Sequence, residues 1–277
     1  MALSVEPLAP EMGAVIRGVD LTAPLDDEIV AGIEKALLEH LLVVFYDQAL
    51  SEEEHIAFAR NFGEIQPPPL KTRDHPDPLL HVLDQTSPKG EGADNWHIDH
   101  TYTQEPAMGL ILRAVQIPSV GGDTMFANMH AAYDALSVPL RTMLEGLSAE
   151  HDVSKSARRG IRSGHLEADL SDIQKRLPPV IHPVIRTHPV TGRRSLFVHT
   201  NSTVRLLGIP EAESEALLAF LFQHVQNPDF QARHRWERNS VAFLDNRCTQ
   251  HYAVPDYTER RILHRVTVKG DRPFFRP

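Results

Sequence analysis

The apolar residues of this chain recur with two different periods, and each period predicts a different kind of element. After Asp26-Asp27, apolar residues at helical spacing from Ile29 to Leu38 predict a helix. Ser51 and Glu54 match a capping box, which predicts a second helix over the residues that follow. A third helix is expected over residues 213–225, after a proline.

Most of the remaining chain consists of short extended runs separated by prolines and glycines. The runs read LLVVFY, LLHVLD, AMGLILRAV, VIHPVIRTHP, SLFVH, SVAFLD and RILHRVTV. Many short strands joined by turns are typical of antiparallel sheets, whereas a doubly wound parallel sheet alternates strands with helices. The pattern therefore predicts a mainly β protein, a sandwich or barrel with flanking helices. No stretch reads as a linker, so we expect a single domain over residues 1–277.

The polar segment from Ser154 to Pro179 has only weak periodicity and allows two interpretations. The first is a solvated loop that contains a short helix. The second is a mobile lid above a pocket, since long polar segments in compact proteins often carry function.

Composition narrows the class of protein. The chain has 277 residues, of which 42% are apolar and 23% charged, as in ordinary globular proteins. A formal net charge of −9 disfavours nucleic acid and anionic membranes as partners. No apolar run approaches the roughly 20 residues of a membrane span. A lone cysteine, Cys248, and an N-terminus without the features of a secretory signal predict a cytoplasmic protein.

Candidate metal chemistry concentrates in the stretch NWHIDHTY. In an extended strand, side chains two positions apart point to the same face, so His97 and Asp99 are expected to project together. An imidazole and a carboxylate suit a divalent first-row metal, but a third ligand must come from elsewhere. His251, which follows a buried-looking strand, is the best candidate, although the sequence contains 16 histidines.

The strand RILHRVTV raises a second question. Its alternation places Arg261 and Arg265 on one face. If this face points into a barrel, both guanidinium groups need anionic partners, because an unpaired buried charge is costly. If it faces solvent, they are ordinary surface arginines. Thr124, after a double-glycine turn, offers a hydroxyl that could share an acid's oxygen with an arginine.

Taken in order, the motifs WHID, GGDT, DNRCTQHYAVPDY, RRILHR and GDRPFFR resemble those of the taurine dioxygenase family of Fe(II)- and 2-oxoglutarate-dependent oxygenases. The resemblance extends over nearly the whole chain. It implies a double-stranded β-helix, or jelly roll, with helices that buttress one sheet. It also implies that the protein self-associates.

The same resemblance assigns roles to individual residues. It implies that His97, Asp99 and His251 hold Fe(II) on one face, which leaves room for 2-oxoglutarate and O2. Arg261 and Thr124 would bind the distal carboxylate of 2-oxoglutarate. Four further residues are expected at the substrate pocket: Arg265, which would face the acidic group of the substrate, and His100, Tyr102 and Asn95.

The activity implied is hydroxylation of a small anionic substrate, above all an organic sulfonate or an alkyl sulfate. The products would be an aldehyde, sulfite or sulfate, succinate and CO2. Taurine itself is disfavoured, because Pro67–Pro69 stand where taurine enzymes carry a histidine, and Leu244 and His199 also indicate an altered pocket. The alternatives are a carboxylate substrate, such as an aryloxyalkanoate or amino acid derivative, and a non-catalytic metal-binding jelly roll.

Overall fold

The computed structural model describes residues 3–70, 78–86, 94–162, 164 and 166–277. Within these ranges the strands are β1 Ser4–Pro7, β2 Ala14–Arg17, β3 Leu42–Phe45, β4 Leu80–Gln85, β5 Gly109–Gln116, β6 Thr124–Asn128, β7 Ser148–His151, β8 Val180–Pro183, β9 Ile185–Thr187, β10 Arg194–Leu196, β11 Thr203–Leu207, β12 Gln231–His234, β13 Val241–Asp245, β14 Thr249–Ala253 and β15 Arg261–Val268. The helices are α1 Asp27–His40, α2 Glu52–Arg60, α3 Met129–Asp134, α4 Val138–Glu145, α5 Ser154–Arg162, α6 Leu170–Arg176 and α7 Glu211–His224, with a short 3-10 turn at Pro228–Phe230.

Two sheets face each other around a shared core. The larger sheet has seven strands in the order β1-β2-β3-β13-β5-β15-β4, and the smaller has the order β12-β6-β14. Leu110 and Leu244 of the large sheet lie in one buried cluster with Phe126 and Ala232 of the small sheet. Only the β2–β3 pair in the large sheet is parallel. The architecture is a jelly roll, so the expectation of a mainly β protein is confirmed.

The outer face of the large sheet is covered by α1 and α2. Val43 and Phe45 pack with Ile33 of α1 and Phe58 of α2, whereas Val44 points to the opposite side, into the core between the sheets. Both faces of β3 are therefore buried, which explains why its sequence is uniformly apolar rather than alternating.

The three predicted helices are present, with shifted ends. Asp26 caps α1 by accepting a hydrogen bond from the amide of Ile29, and Ser51 with Glu54 forms the expected capping box of α2. The third helix begins earlier than predicted, at Glu211. None of the helices in the described part of the chain combines the length and apolar character that a transmembrane segment needs.

The strand prediction was right for five strands of the large sheet, β3, β4, β5, β13 and β15, and less accurate elsewhere. The run VIHPVIRTHP is two strands, β8 and β9, which lie in different small sheets. Strands β1 and β2 pair with each other at the edge of the large sheet but were not predicted, because β1 is exposed and carries no apolar alternation. The polar segment forms α5 and α6; residues 163 and 165 between them lie outside the described part.

Candidate active site

The predicted metal ligands come together where the small sheet meets the segment before β5. His97 forms an isolated antiparallel bridge with His251 of β14, and their backbone groups exchange hydrogen bonds of 3.1 and 2.9 Å. The expectation of an extended strand through Asp99 was wrong, because a turn begins at Asp99 and His100 has a φ of 61°. The turn still brings the two side chains of the His-x-Asp motif to one side.

The three donor groups fit a divalent metal. Ligand atoms of His97, Asp99 and His251 all lie within 4.8 Å of one another, and Nε2 of His97 is 3.5 Å from Oδ1 of Asp99. Bonds of about 2.0–2.2 Å would hold adjacent ligand atoms roughly 3 Å apart. Nδ1 of His97 lies 2.7 Å from the carbonyl oxygen of Asn95, a contact that leaves Nε2 available as the ligand. Two imidazoles and one carboxylate form the donor set that suits non-haem Fe(II).

The electrostatics favour the protonation state that metal binding requires. Burial alone would raise the pKa of Asp99, but the charge of Arg265, followed by those of His251 and His97, holds it well below the usual range. Burial lowers the pKa of His251 to about 3. The site therefore offers a carboxylate and a neutral imidazole, and metal binding needs no proton to be displaced from either.

Arg265 contacts the predicted ligand Asp99, a contact that the sequence did not predict. The arginine strand faces the interior, since Arg261 and Arg265 are both buried, and the solvent-facing alternative is wrong. Nη1 of Arg265 donates to Oδ2 of Asp99, and Nη2 donates to Nδ1 of His81 at 2.7 Å. The guanidinium thus has its charge partner in the carboxylate of Asp99, a predicted metal ligand.

Arg261 is a buried cation that forms no ion pair with a carboxylate among the described residues. Among the described residues its Nε donates to the carbonyl oxygen of Gly122 at 2.9 Å, its Nη2 donates to Oγ1 of Thr124 at 3.3 Å, and it shares a side-chain hydrogen bond with Tyr257. Its guanidinium also lies 5.9 Å from the centre of the Trp236 ring. Burial lowers its pKa, although an arginine remains charged at neutral pH. Its direct contacts are neutral groups, and the charge of Asp123 has only a lesser influence on it, so this buried cation is a site for an anion.

Trp236 determines how Thr124 can act. Nε1 of Trp236 donates to Oγ1 of Thr124 at 2.9 Å, and Arg261 donates to the same oxygen. Because the hydroxyl oxygen already accepts two hydrogen bonds, its own proton is directed to a further acceptor. A carboxylate at this place would receive hydrogen bonds from both Arg261 and Thr124.

The three other expected pocket residues have different surroundings. His100 is buried, and its ring lies 6.1 Å from that of Tyr102. Tyr102 packs in an apolar cluster with Leu70 and with residues of α5 and α6, including Ala157 and Ile173. The Asn95 side chain donates to Asp94 at 3.3 Å. The polar segment is therefore not a solvated loop, because its helices bury side chains against the wall that contains Tyr102.

A second group of potential ligands has another explanation. His188, Asp245 and Cys248 lie within ligand distance of one another and are buried. Asp245, however, accepts hydrogen bonds from Nε and Nη2 of Arg247 at 2.8 and 2.6 Å and from Nε2 of His188 at 3.0 Å. Both carboxylate oxygens of Asp245 are therefore occupied, and Nδ1 of His188 accepts from two backbone amides at 3.3 and 3.1 Å, so neither side chain offers a free donor atom to a metal ion. This group is an internal ion-pair network.

A jelly roll with a His-x-Asp pair and a distant histidine beside a buried arginine is the architecture of Fe(II)- and 2-oxoglutarate-dependent dioxygenases. The sequence profile of the taurine catabolism dioxygenase TauD, TfdA family matches residues 4–267. The chain belongs to this family, whose chemistry uses Fe(II), 2-oxoglutarate and O2.

Individual relatives are similar over nearly the full length. The α-ketoglutarate-dependent sulfate ester dioxygenase of Pseudomonas putida is 37% identical, over 99% of this chain and 91% of that protein. The α-ketoglutarate-dependent 2,4-dichlorophenoxyacetate dioxygenase of Cupriavidus pinatubonensis is 35% identical, over 98% of this chain and 99% of that protein. A taurine dioxygenase structure from Burkholderia xenovorans superimposes with a TM-score of 0.85 at 36% identity, covering 99% of this chain and 91% of that one.

Sequence reasoning missed residues that act through neighbours. His81 lies on a predicted strand, and Trp236 and Asn246 lie before and after the predicted strand SVAFLD, but their partners are distant in sequence. Period-two alternation shows which side chains share a face but not which strand lies beside them. Only the strand order could have identified these contacts.

Proposed function

We propose that the protein hydroxylates a small anionic organic substrate, an organic sulfonate or alkyl sulfate, with concomitant conversion of 2-oxoglutarate and O2 to succinate and CO2. The observation that carries this proposal is the buried Arg261, which lacks a carboxylate partner in the described residues and lies beside Thr124. An anionic cosubstrate with a terminal carboxylate would compensate that charge.

The proposed roles follow from the geometry. Fe(II) would be held by His97, Asp99 and His251. When bound, it would provide the chemistry that oxidises a C–H bond of the substrate while 2-oxoglutarate is decarboxylated. Arg261 and Thr124 would bind and orient the cosubstrate through its distal carboxylate. The substrate must be held so that the correct carbon lies nearest the metal, since position decides which bond reacts.

Hydroxylation of the carbon that bears the sulfur group gives an unstable adduct. The new C–OH collapses to a carbonyl, the C–S bond of a sulfonate breaks with release of sulfite, and the C–O bond of a sulfate ester breaks with release of sulfate. This choice of substrate is supported by the 37% identity to the sulfate ester dioxygenase. The family resemblance also implies that Arg265, which lies beside the proposed ligand Asp99, faces the acidic group of the substrate.

A carboxylate substrate is the second candidate, and one observation favours it. Tyr102 and Leu70 form an apolar wall with α5 and α6, which suits an aryl or alkyl body next to an acidic group. The 35% identity to the 2,4-dichlorophenoxyacetate dioxygenase is in line with such a body.

One experiment separates these proposals. The protein is incubated aerobically with Fe(II), 2-oxoglutarate and single members of a panel of alkyl sulfates, sulfonates and aryloxyalkanoates, and succinate, aldehyde and sulfite or sulfate are measured. Succinate with equal amounts of aldehyde and sulfite or sulfate supports the first proposal. Succinate with a phenol and no sulfur anion supports the second. Absence of succinate, and of oxygen consumption without substrate, would favour a non-catalytic metal-binding protein.

The proposal extends to the domain organisation, the oligomeric state and the location of the protein. We propose a single catalytic domain over residues 1–277, supported by the family profile that spans 4–267, and self-association, supported by the family resemblance. A cytoplasmic location is supported by the single free cysteine, Cys248, which is buried. Light scattering during size-exclusion chromatography tests the oligomeric state.

A further inference from the structure

His81 and Arg265 form a cross-strand pair next to the metal ligands. They lie directly opposite each other in the antiparallel register of β4 and β15. Nη2 of Arg265 donates to Nδ1 of His81 at 2.7 Å, and Nη1 donates to Oδ2 of Asp99. One planar cation therefore connects the imidazole of His81 to the carboxylate of the proposed ligand.

The hydrogen bond fixes the protonation of His81. Arginine is a donor only, so Nδ1 of His81 must be unprotonated to accept from it. A protonated ring would place two cations in contact. Burial, and after it the charge of Arg265, lower the pKa of His81 to about 3, so the ring is neutral at physiological pH. His81 is thus a constant acceptor for one terminal nitrogen of Arg265.

We propose that His81 is a positioning residue for the metal centre, which fixes the guanidinium of Arg265 so that Asp99 presents Oδ1 to the metal. A carboxylate turns easily about its terminal torsion, and a bond to Oδ2 removes that freedom. Arg265 is fixed in turn because both of its terminal nitrogens form hydrogen bonds. Its buried Nε has no hydrogen-bond partner among the described residues, so these two bonds alone orient the guanidinium. Oδ1 is the oxygen that lies 3.5 Å from Nε2 of His97.

The consequence is a change in metal affinity that does not require turnover. Groups that orient a metal ligand from behind typically contribute a factor of about 10–100 to affinity. Loss of the acceptor at position 81 should let Arg265 turn away from Asp99. The inference rests on the proposed ligand set and is independent of the substrate.

The test is anaerobic equilibrium dialysis of the full-length protein against Fe(II), without 2-oxoglutarate. His81→Leu removes the acceptor, and His81→Asn keeps an acceptor oxygen near the position of Nδ1. His55→Leu is the control, because it removes a fully buried imidazole away from the proposed ligands, whose Nε2 lies 3.1 Å from the carbonyl oxygen of Ile111. We expect His81→Leu to weaken Fe(II) binding about 10- to 100-fold, and His81→Asn and His55→Leu to bind as the wild type does.

The outcomes separate this inference from the proposed function. Failure of the wild type to bind Fe(II) would contradict the proposed function itself. Wild-type affinity in a folded His81→Leu variant would overturn the positioning role alone. Equal loss in His81→Asn and His81→Leu would show that ring packing, not the acceptor, matters, and would also overturn it. If His81→Leu does not fold, His81→Phe, which keeps a planar ring without an acceptor nitrogen, provides the same test, and wild-type affinity in that variant would overturn the positioning role.

Discussion

Asn246 holds both backbone groups of Asp99, although the two residues are 147 positions apart. Its Oδ1 accepts from the amide of Asp99 at 3.0 Å, and its Nδ2 donates to the carbonyl oxygen of Asp99 at 3.0 Å and to that of Ala107 at 3.0 Å. Asn246 directly follows β13, a central strand of the large sheet. The turn that carries the proposed ligand is therefore attached to a central strand of the large sheet.

Replacement of Asn246 by alanine should affect both stability and metal binding. It leaves buried backbone groups of Asp99 without partners, and each such group costs about 1–3 kcal/mol. We expect the free energy of unfolding in urea to fall by about 2–4 kcal/mol and Fe(II) affinity to fall as well. Asn61→Ala is the control, because Asn61 is partly exposed and bonds only to the carbonyl oxygens of its own helix end. Unchanged Fe(II) affinity in Asn246→Ala would show that the clamp has no role at the metal.

Removal of the Asp99 carboxylate should abolish metal retention. Asp99→Ala leaves two neutral imidazoles and places the uncompensated charge of Arg265 beside them. We expect the purified variant to hold no Fe(II) after desalting, and no succinate to form. Asp134→Ala, on an exposed position of α3, should retain the metal. Substantial iron in desalted Asp99→Ala would mean that the ligand set is assigned wrongly.

The sequence predicted those parts of the fold and site that depend on local patterns. The capping box at Ser51 and the apolar run of β3 are local signals, and both were interpreted correctly. The convergence of His97 with His251 came from a family resemblance, since spacing could not choose among 16 histidines. The attachment of Arg265 to Asp99 was not foreseen, because a strand's sequence does not record what lies opposite it.

Arg261 should control the requirement for 2-oxoglutarate. Arg261→Lys keeps the charge but loses the planar pair of donors, so the bonds to Gly122 and Thr124 cannot both form. We expect the KM for 2-oxoglutarate to rise about 10- to 100-fold, as expected for loss of one charged hydrogen bond, with a small effect on the substrate KM. Arg260→Lys is the neighbouring control, since Arg260 is exposed and pairs with Asp84. A rise confined to the KM for the substrate would mean that Arg261 binds the substrate and not 2-oxoglutarate.

Gly122 should be needed for the same site. Its φ is +75°, and an added Cβ would lie 2.9 Å from Cγ of Pro118 and 3.2 Å from Cδ of Arg261. Gly122→Ala should therefore displace Arg261 and raise the KM for 2-oxoglutarate, in addition to a backbone cost of about 1–2 kcal/mol. Gly192→Ala is the control, because Gly192 has a φ of +72° but no atoms within 4 Å of the added Cβ. Gly192→Ala should lose a similar amount of stability but keep the wild-type KM for 2-oxoglutarate. Equal KM values for 2-oxoglutarate in the two variants would contradict the steric argument.

Buried neutral histidines should make the protein sensitive to mild acid. Burial is the main cause that lowers the pKa of five histidines away from the proposed ligands: to about 3 for His55, to about 4 for His130, His182 and His234, and well below the ordinary value for His151. In the unfolded chain a histidine titrates near pH 6.5. Between that pH and about 4 the unfolded state therefore binds more protons, so stability is present above pH 6.5 and is lost as the pH falls.

Each such proton contributes about 1.4 kcal/mol per pH unit, so the free energy of unfolding should fall by several kcal/mol per unit below pH 6. Urea unfolding at pH 7.5, 6.5 and 5.5 measures the slope. In His55→Gln the unfolded chain has no imidazole to protonate at position 55. The slope of its free energy of unfolding against pH should therefore be smaller by about one proton's contribution, whatever the stability of the variant at pH 7.5. A flat profile for the wild type between pH 6.5 and 5.5 would mean that the folded and unfolded states bind the same number of protons in this range. The histidine rings would then be protonated in the folded protein, which would contradict the assignment of neutral, desolvated imidazoles to the core.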